Sequence, residues 1–287
     1  MAEVLALELA GEPVSLLADR ALYWPARRRL LVADLHLGKA DTFRASGIAL
    51  PRGGTALDLR RLGALLDATG AHTLWVLGDL LHGRTDLASW RAAWNAFRAD
   101  HRGLAIAVVD GNHDRALANA GLDLERLGDA VHDGPFVLRH APALDPRGHV
   151  ICGHVHPVLK LPGQPRTPAF WLQPRCSVLP AFSAFTGGHP VRLRRGEGAV
   201  LCNGDALVAV GAAVASPSPT QAEARIDENG DISFPDNINC SRIDNAVVVI
   251  GDHESVRAAS LLALAGVSRV VRRRVWIHSQ QGRDALP

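Results

Sequence analysis

The sequence lacks the features that mark a secreted or membrane-embedded protein. Its four cysteines form no CxxC pair, so a disulfide framework is not expected and a reducing compartment fits better. The first fifteen residues contain glutamates and no basic segment, and therefore do not predict a secretory signal. The longest apolar run, residues 206–215, is too short to cross a bilayer. Together these absences favour a soluble cytoplasmic protein.

Lysine is also scarce, because all the basic side chains except Lys39 and Lys160 are arginines. Arginine suits bidentate contacts with phosphate, but the base composition of a genome explains the same excess. The formal net charge of +2 therefore argues neither for nor against a nucleic-acid partner. Hydrophobic residues make up 47% of the 287 residues, enough for one large domain or one domain with an appendage.

Five short apolar runs, each followed by polar residues, predict buried strands. They occupy residues 30–33, 73–77, 106–109, 136–138 and 150–152. Between the first three runs, residues 56–68 and 87–99 place leucines or aromatic side chains on one helical face, which predicts core packing against a sheet. This alternation predicts an α/β fold. The turn-rich stretch 136–210 predicts a second, more antiparallel sheet, and hence a four-layer αββα sandwich.

The composition changes near residue 213, where alternating Ser and Pro resemble a linker. We therefore predict one domain over residues 1–213, and a linker plus a C-terminal extension of uncertain structure over residues 214–287. Within the extension, residues 246–250 favour a strand and residues 254–265 favour a helix.

Each of the five predicted strands is followed by residues of the types that commonly bind metals in proteins. In an α/β sheet, such side chains gather just beyond the carboxyl ends of the strands. Carboxylate oxygens, amide oxygens and imidazole nitrogens together suit Mn²⁺, Fe or Zn²⁺, and two neighbouring ions need about seven protein ligands. The candidates are Asp34, His36, Asp79, Asn112, His113, Asp114, His140, His154 and His156.

The spacing within these motifs has a physical reason. Asp34 and His36 are two residues apart, so in an extended segment their side chains point to the same side and can reach one ion. The same holds for His154 and His156. Asp79 follows a glycine that permits a sharp exit from the strand, which makes it the natural bridging carboxylate.

The ordered motifs DxH, GD, GNHD, H and GHxH resemble those of the calcineurin-like metallophosphoesterase superfamily. The five motifs together are highly specific, although each one alone is weak. A closer resemblance is to the bacterial ligase-associated DNA damage response endonucleases (the phosphoesterase PdeM family), over roughly the first three-quarters of the chain. It is carried by the stretches VADLHLGKADTFRASGIALPRGG, LGDLLHG, GNHDR, CGHVHP and LPAFSAFTGG. One departure is Ala141-Pro142 after His140, where many relatives have other residues.

This resemblance implies two divalent metal ions, with Mn²⁺ expected and Fe, Zn²⁺ or Mg²⁺ as alternatives. It implies that one ion is held by Asp34, His36, Asp79 and His156, and the other by Asp79, Asn112, His140 and His154. By the same resemblance, His113 contacts the phosphate and assists the departing oxygen, and Asp114 behind it orients its ring. A hydroxide that bridges the ions would attack phosphorus in line, without a covalent enzyme intermediate.

Two further residues, His82 and Arg115, are candidates for the path of the substrate. A motif similar to GDLLH occurs in another nuclease group of the superfamily, where its histidine lies beside the site. The alternative for His82 is a position at the surface start of a helix. Arg44, Arg52, Arg84 and Arg115 could line a nucleic-acid backbone or be solvated surface arginines.

For the function, the resemblance implies that DNA is the substrate, cleaved by an endonuclease within a repair system that also contains a DNA ligase and a helicase. The residues themselves show only that a phosphate ester can be held and attacked. The alternatives are a small-molecule phosphodiesterase or phosphomonoesterase, and a catalytically silent scaffold of the same fold. Every ligand position is filled and His113 is present, which favours an active enzyme. The oligomeric state is left open.

Overall fold

A computed structural model describes residues 3–49, 53–82, 88–160 and 165–211, together with the backbone of four short strands beyond them. In this part of the chain the α-helices lie among the strands of the first half. They are α1 (Lys39–Ala45), α2 (Gly54–Thr69) and α3 (Ala88–Asp100).

The first sheet has seven strands, which lie in the same order as in the chain. They are β1 (Val4–Leu9), β2 (Glu12–Leu17), β3 (Ala21–Trp24), β4 (Arg29–Val32), β5 (Thr73–Leu77), β6 (Ala105–Val109) and β7 (Glu125–Arg126). From β1 to β4 the neighbours are antiparallel, whereas β4 to β7 run parallel. The carboxyl ends of β4, β5 and β6 therefore meet at one edge.

The second sheet has nine strands, ordered β14-β11-β12-β13-β10-β9-β8, with β15 beside β12 and β16 beside β15. They are β8 (Ala130–Asp133), β9 (Phe136–Arg139), β10 (His149–Cys152), β11 (Pro157–Lys160), β12 (Arg166–Gln173), β13 (Cys176–Val178), β14 (His189–Pro190), β15 (Gly198–Cys202) and β16 (Leu207–Gly211). Two separate hairpins follow, formed by β17 (Arg225–Ile226), β18 (Ile232–Ser233), β19 (Asn239–Ile243) and β20 (Ala246–Ile250).

The two sheets pack face to face over a shared apolar core. The first sheet contributes side chains such as Leu31 and Val109, and the second contributes Phe136 and Ile151, all fully buried. Burying a side chain of this size contributes roughly 1.5–3 kcal/mol, so this interface is the main source of cohesion between the sheets.

Helices α2 and α3 cover the other face of the first sheet. Successive strand residues point to opposite faces, so Leu30 faces the helices while its neighbour in β4 faces the second sheet. Trp90 and Trp94 of α3 are almost completely buried in this layer, with Leu62 of α2 beside them. The aromatic stripe of the sequence is therefore core packing, as predicted.

The predicted fold class is confirmed: the chain forms a two-sheet α/β sandwich. The five strands predicted before the polar motifs are β4, β5, β6, β9 and β10, and the two predicted helices are α2 and α3. Among the described helices, α2 and α3 pack against the first sheet. The predicted strand at residues 246–250 is β20, whereas the domain limit at residue 213 and the helix at residues 254–265 lie outside the described residues. No helix of the described part is long and apolar enough to span a membrane.

Candidate metal centre

The loops after β4, β5, β6, β9 and β10 converge at one edge of the sandwich and carry the predicted ligands. Backbone hydrogen bonds tie the first two loops together, because the Asp34 N–H donates to the Gly78 carbonyl at 3.2 Å. A second link joins the two sheets at the same point. Ala33 pairs with Ala181 in an isolated parallel bridge, and the Phe182 N–H donates to the Ala33 carbonyl at 2.8 Å. The centre therefore lies on the seam between the sheets.

Five of the predicted ligands have a positive φ, which residues other than glycine rarely adopt. The values are 56° at Asp34, 48° at His36, 52° at Asp79, 68° at His154 and 52° at His156. Eight non-glycine residues of the described chain have a positive φ, so most of them are at this edge. Strain of this kind costs about 1–3 kcal/mol per residue and clusters at functional sites, where the surrounding structure enforces it.

The glycines of the GD and GN motifs are required because residues of neighbouring loops lie very close to them. A Cβ on Gly78 would lie 2.3 Å from Nδ1 of His140, and a Cβ on Gly111 would lie 2.2 Å from the backbone nitrogen of Asp79. Neither position has room for a side chain. The GD and GN pairs of the sequence therefore let neighbouring loops touch.

A first group of potential ligands consists of Asp34, His36 and His156, whose ligand atoms lie within 4.8 Å of one another. Oδ1 of Asp34 lies 3.1 Å from Nε2 of His156. Both of these atoms and both ring nitrogens of His36 are buried and have no hydrogen-bond partner in the described structure. Buried polar atoms without partners are costly, and a divalent cation would satisfy them. The group fits a metal ion.

A second group surrounds Nε2 of His140. Oδ1 of Asn112 lies 2.9 Å away, Nδ1 of His154 lies 3.0 Å away, and Oδ1 of Asp79 lies 3.5 Å away. Nδ1 of His140 lies 2.9 Å from the Leu77 carbonyl, which can only accept, so in the neutral ring Nδ1 donates and Nε2 is the nitrogen that can bind a metal. A cation would join this nitrogen with the amide and carboxylate oxygens around it. The donor set fits the predicted second ion.

Two carboxylates lie between the groups. The ligand atoms of Asp34, Asp79 and His140 also lie within 4.8 Å of one another, so Asp34 belongs to both groups. Its second oxygen, Oδ2, accepts a hydrogen bond from the His154 N–H at 2.9 Å. Bridging by Asp79 stays a prediction, and Asp34 is a further candidate for it.

Burial sets the protonation state of the histidines. It lowers the pKa of His36 to about 2, and the positive charge of Lys39 adds to this effect. Burial also lowers the pKa of His154. Because a histidine binds a metal in its neutral form, both rings are ready to act as ligands at neutral pH.

His113 and Asp114 lie on the loop after β6. The His113 N–H donates to Oδ1 of Asp79 at 2.9 Å, and its side chain is 42% exposed, so the ring is accessible from outside. Asp114 is buried and accepts backbone N–H bonds from Leu81 and Gly111, each at 3.0 Å. It thus joins the loops after β5 and β6. The orientation of the His113 ring by Asp114 stays a prediction.

His82 lies beside the centre. Its ring stacks on His113 with a centroid distance of 5.0 Å and an interplanar angle of 29°, and it lies 5.3 Å from the ring of His36. This position agrees with a place on the substrate path, which stays a prediction.

The arginines expected along the path differ in their surroundings. Arg115 is exposed in the 3-10 turn that follows His113. Arg44 forms an ion pair with Asp41 on α1. Arg52 and Arg84 lie outside the described residues.

Sequence reasoning gave no role to Lys39, which is half-buried beside the centre. Its Nζ lies 3.3 Å from Oγ1 of Thr186, and the charges of Asp34 and Asp79 raise its pKa against the stronger lowering effect of burial. The signal was in the sequence, because Lys39 is one of two lysines in an arginine-rich chain and directly follows the DLHLG stretch.

Comparison with solved structures identifies the family. The crystal structure of Pseudomonas putida nuclease MPE is 38% identical to this chain with a TM-score of 0.62, and the match covers 69% of this chain and 96% of that one. This chain belongs to the metallophosphoesterase superfamily. It is a metal-dependent phosphoesterase, as the motifs predicted.

Other comparisons add little to this metallophosphoesterase assignment. The phosphoesterase Yfce from E. coli is 16% identical with a TM-score of 0.35, over 71% of this chain and 95% of that one. A protein of unknown function from Aquifex aeolicus is 22% identical with a TM-score of 0.32, over 45% and 78%. At such scores neither supports an inference. No family profile and no curated protein matches the chain.

Proposed function

We propose that this metallophosphoesterase uses two divalent metal ions, of which Mn²⁺ is the expected one, to cleave phosphodiester bonds of DNA. The observation that carries the proposal is the convergence of potential ligand atoms around His140, next to the buried atoms without hydrogen-bond partners on Asp34, His36 and His156. Two such groups share one edge, as a dinuclear centre requires. The similarity to a nuclease supports nucleic acid as the substrate.

Within this proposal, bound ions would polarise the phosphoryl oxygens and lower the pKa of the attacking water. His113 is the accessible side chain at the rim, and we assign it contact with the phosphate and proton transfer to the departing oxygen. Lys39, half-buried near Asp34 and Asp79, would stabilise the negative charge that develops on the phosphoryl group during the reaction.

We also propose an endonucleolytic role in DNA repair, with a DNA ligase and a helicase as the partners of that system. A cytoplasmic location agrees with Cys152, Cys176 and Cys202, which are free thiols in the described structure.

The proposal is tested with protein that has been stripped of metal and then given Mn²⁺. Bis(p-nitrophenyl) phosphate, p-nitrophenyl phosphate and labelled single- and double-stranded DNA are assayed in parallel. We expect metal-dependent cleavage of the diester and the DNA, and a loss of about 10²- to 10⁴-fold in His113→Ala, the range for a general acid. His132→Ala, which removes an exposed histidine on β8, is the matched control and keeps full activity.

Other results would change the assignment. Turnover of the monoester without cleavage of DNA would identify a phosphatase. If the protein hydrolyses none of these substrates although elemental analysis shows two bound ions, it is a catalytically silent scaffold.

A further inference from the structure

A row of aromatic rings runs from the metal centre to the surface. It begins at His113, continues through His82, whose ring stacks on it, and reaches Phe43, which stacks on His82 with a centroid distance of 6.2 Å and an interplanar angle of 16°. Phe185 closes the row, with its ring edge-on to Phe43 at 6.0 Å. We call these four residues the aromatic row.

The outer end of the aromatic row is open to solvent. Phe185 is 40% exposed, and among the described residues it is one of only five large apolar side chains with such exposure. Phe43 is partly buried behind it. A phenyl ring that only filled the core would be covered, so this one is available for contacts from solvent.

The loop that presents Phe185 is held rigidly. The N–H of Ala184 donates to the buried carboxylate of Asp58, at 3.1 Å to Oδ1 and 3.3 Å to Oδ2. Arg61 donates to the same carboxylate at 2.8 Å and to the Phe182 carbonyl at 3.3 Å. The ring is therefore preorganised, which lowers the entropy lost when it binds a partner.

A lysine contacts the segment that carries this ring. Thr186 follows Phe185 in the chain and its Oγ1 lies 3.3 Å from Nζ of Lys39. Ring contacts therefore link the apolar aromatic face to the metal centre, and Lys39 lies between Thr186 and the carboxylates of that centre. A nucleotide has the complementary pieces, a flat base and a phosphate joined by a sugar.

We propose that the aromatic row is a base-stacking site, in which an unpaired nucleobase next to the cleaved phosphate packs on Phe185 and Phe43. The inference rests on the proposed cleavage of DNA and adds the feature of the substrate that is recognised. Stacking does not distinguish one base from another, because every base has an aromatic face. The site therefore selects for the presence of an accessible base and not for its identity.

The test uses single-stranded oligothymidylates in which one nucleotide at a time is replaced by an abasic analogue, so that the backbone is unchanged. With wild-type protein and Mn²⁺, we expect an abasic position next to the cleaved bond to lower kcat/KM about tenfold or more. In Phe185→Ala, the normal oligonucleotide should be cleaved as slowly as the abasic one, and Phe185→Trp should restore the difference. Leu144→Ala, which truncates an exposed side chain outside the row, serves as the matched control.

The outcomes separate the stacking site from the proposed function. If wild-type protein cleaves abasic and normal positions equally, or if Phe185→Ala slows both to the same extent, the stacking site is refuted while the nuclease stands. If wild-type protein hydrolyses bis(p-nitrophenyl) phosphate but cleaves neither these oligonucleotides nor duplex DNA, the proposed DNA substrate is wrong and the stacking site is refuted as well. Cleavage of duplex DNA alone would refute the stacking site and leave the proposed DNA substrate intact.

Discussion

At the scale of single residues, the metal centre depends on a backbone that most side chains would not permit. Strained ligands such as Asp34 and Asp79 are held in place because glycines beside them let neighbouring loops touch. The protein therefore accepts local strain of about 1–3 kcal/mol per residue at this edge. The core between the sheets supplies the stability that makes this possible.

Gly78→Ala tests whether the His140 ring must lie against a residue without a side chain. The new methyl group would overlap the ring of His140 at 2.3 Å, so we expect the affinity for metal to fall about 10- to 100-fold, as when a residue that supports a ligand is lost. Titration with Mn²⁺, followed by activity and by calorimetry, measures the effect. Gly11→Ala is the control, because Gly11 has a similar φ of 81° and open space around it. Equal effects in both variants would show that backbone strain alone matters.

His149, which lies outside the metal centre, makes the free energy of unfolding depend on pH. Burial lowers its pKa below the ordinary value of 6.5, and its Nε2 lies 2.9 Å from Oγ of Ser177. The unfolded chain therefore binds a proton at this residue more readily than the folded chain does. Its contribution to stability is fully present above pH 6.5 and is lost as the pH falls below that value, by at most about 1.4 kcal/mol per pH unit.

Urea unfolding at pH 7.5, 6.5 and 5.5 measures this contribution. We expect His149→Gln to show a smaller loss of unfolding free energy between pH 6.5 and 5.5 than the wild type, since Gln does not titrate. Identical losses would assign the pH dependence to other groups.

At the scale of elements, the sequence predicts those parts of the fold whose signals are local. The strands β4, β5 and β6 and the helices α2 and α3 follow from apolar runs and helical periodicity, and they appear where the pattern places them. Seven candidate ligands follow from motifs at the strand ends, and the structure brings them together in two groups.

Other elements depend on contacts between distant residues, which no local pattern reveals. Asp58 looks like an ordinary polar residue of α2, yet it is buried and binds a loop 126 residues away. Phe43 and Phe185 are also far apart in the chain, and only the fold brings their rings together. The first three strands were also not predicted, although β1 alternates strictly between exposed and buried residues.

Asp58→Asn tests the link between α2 and the loop that carries Phe185. The change removes the charge that pairs with Arg61 at 2.8 Å, and Asp58 is only 3% exposed. We expect a loss of about 1–3 kcal/mol in the free energy of unfolding, typical of a buried charged hydrogen bond. Asp123→Asn is the control, because its carboxylate is 92% exposed in the pair with Arg98 and should change stability by less than about 0.5 kcal/mol. Comparable losses in urea titrations of the two variants would refute the role of Asp58.

At the scale of the whole molecule, the described residues up to Gly211 contain both sheets, the core and all the candidate ligands. The sandwich therefore does not need the later residues to complete its metal centre. The domain limit at residue 213 stays a prediction.

Truncation after residue 213 tests that limit. We expect the shortened protein to bind Mn²⁺ and to hydrolyse bis(p-nitrophenyl) phosphate within about twofold of the full chain, because the candidate centre is intact. Circular dichroism checks folding in parallel. A folded but inactive truncation would show that the C-terminal extension takes part in the chemistry.

The position of the centre on the seam has a consequence for protein synthesis. The ribosome delivers the first sheet with Asp34, His36, Asp79 and Asn112 well before His140, His154 and His156 emerge with the second sheet. A nascent chain, or one that ends before His154, can therefore hold neither complete group of ligands. We expect such short fragments of this phosphoesterase to be inert, so that hydrolytic activity first arises once residues from both sheets have been made and have docked.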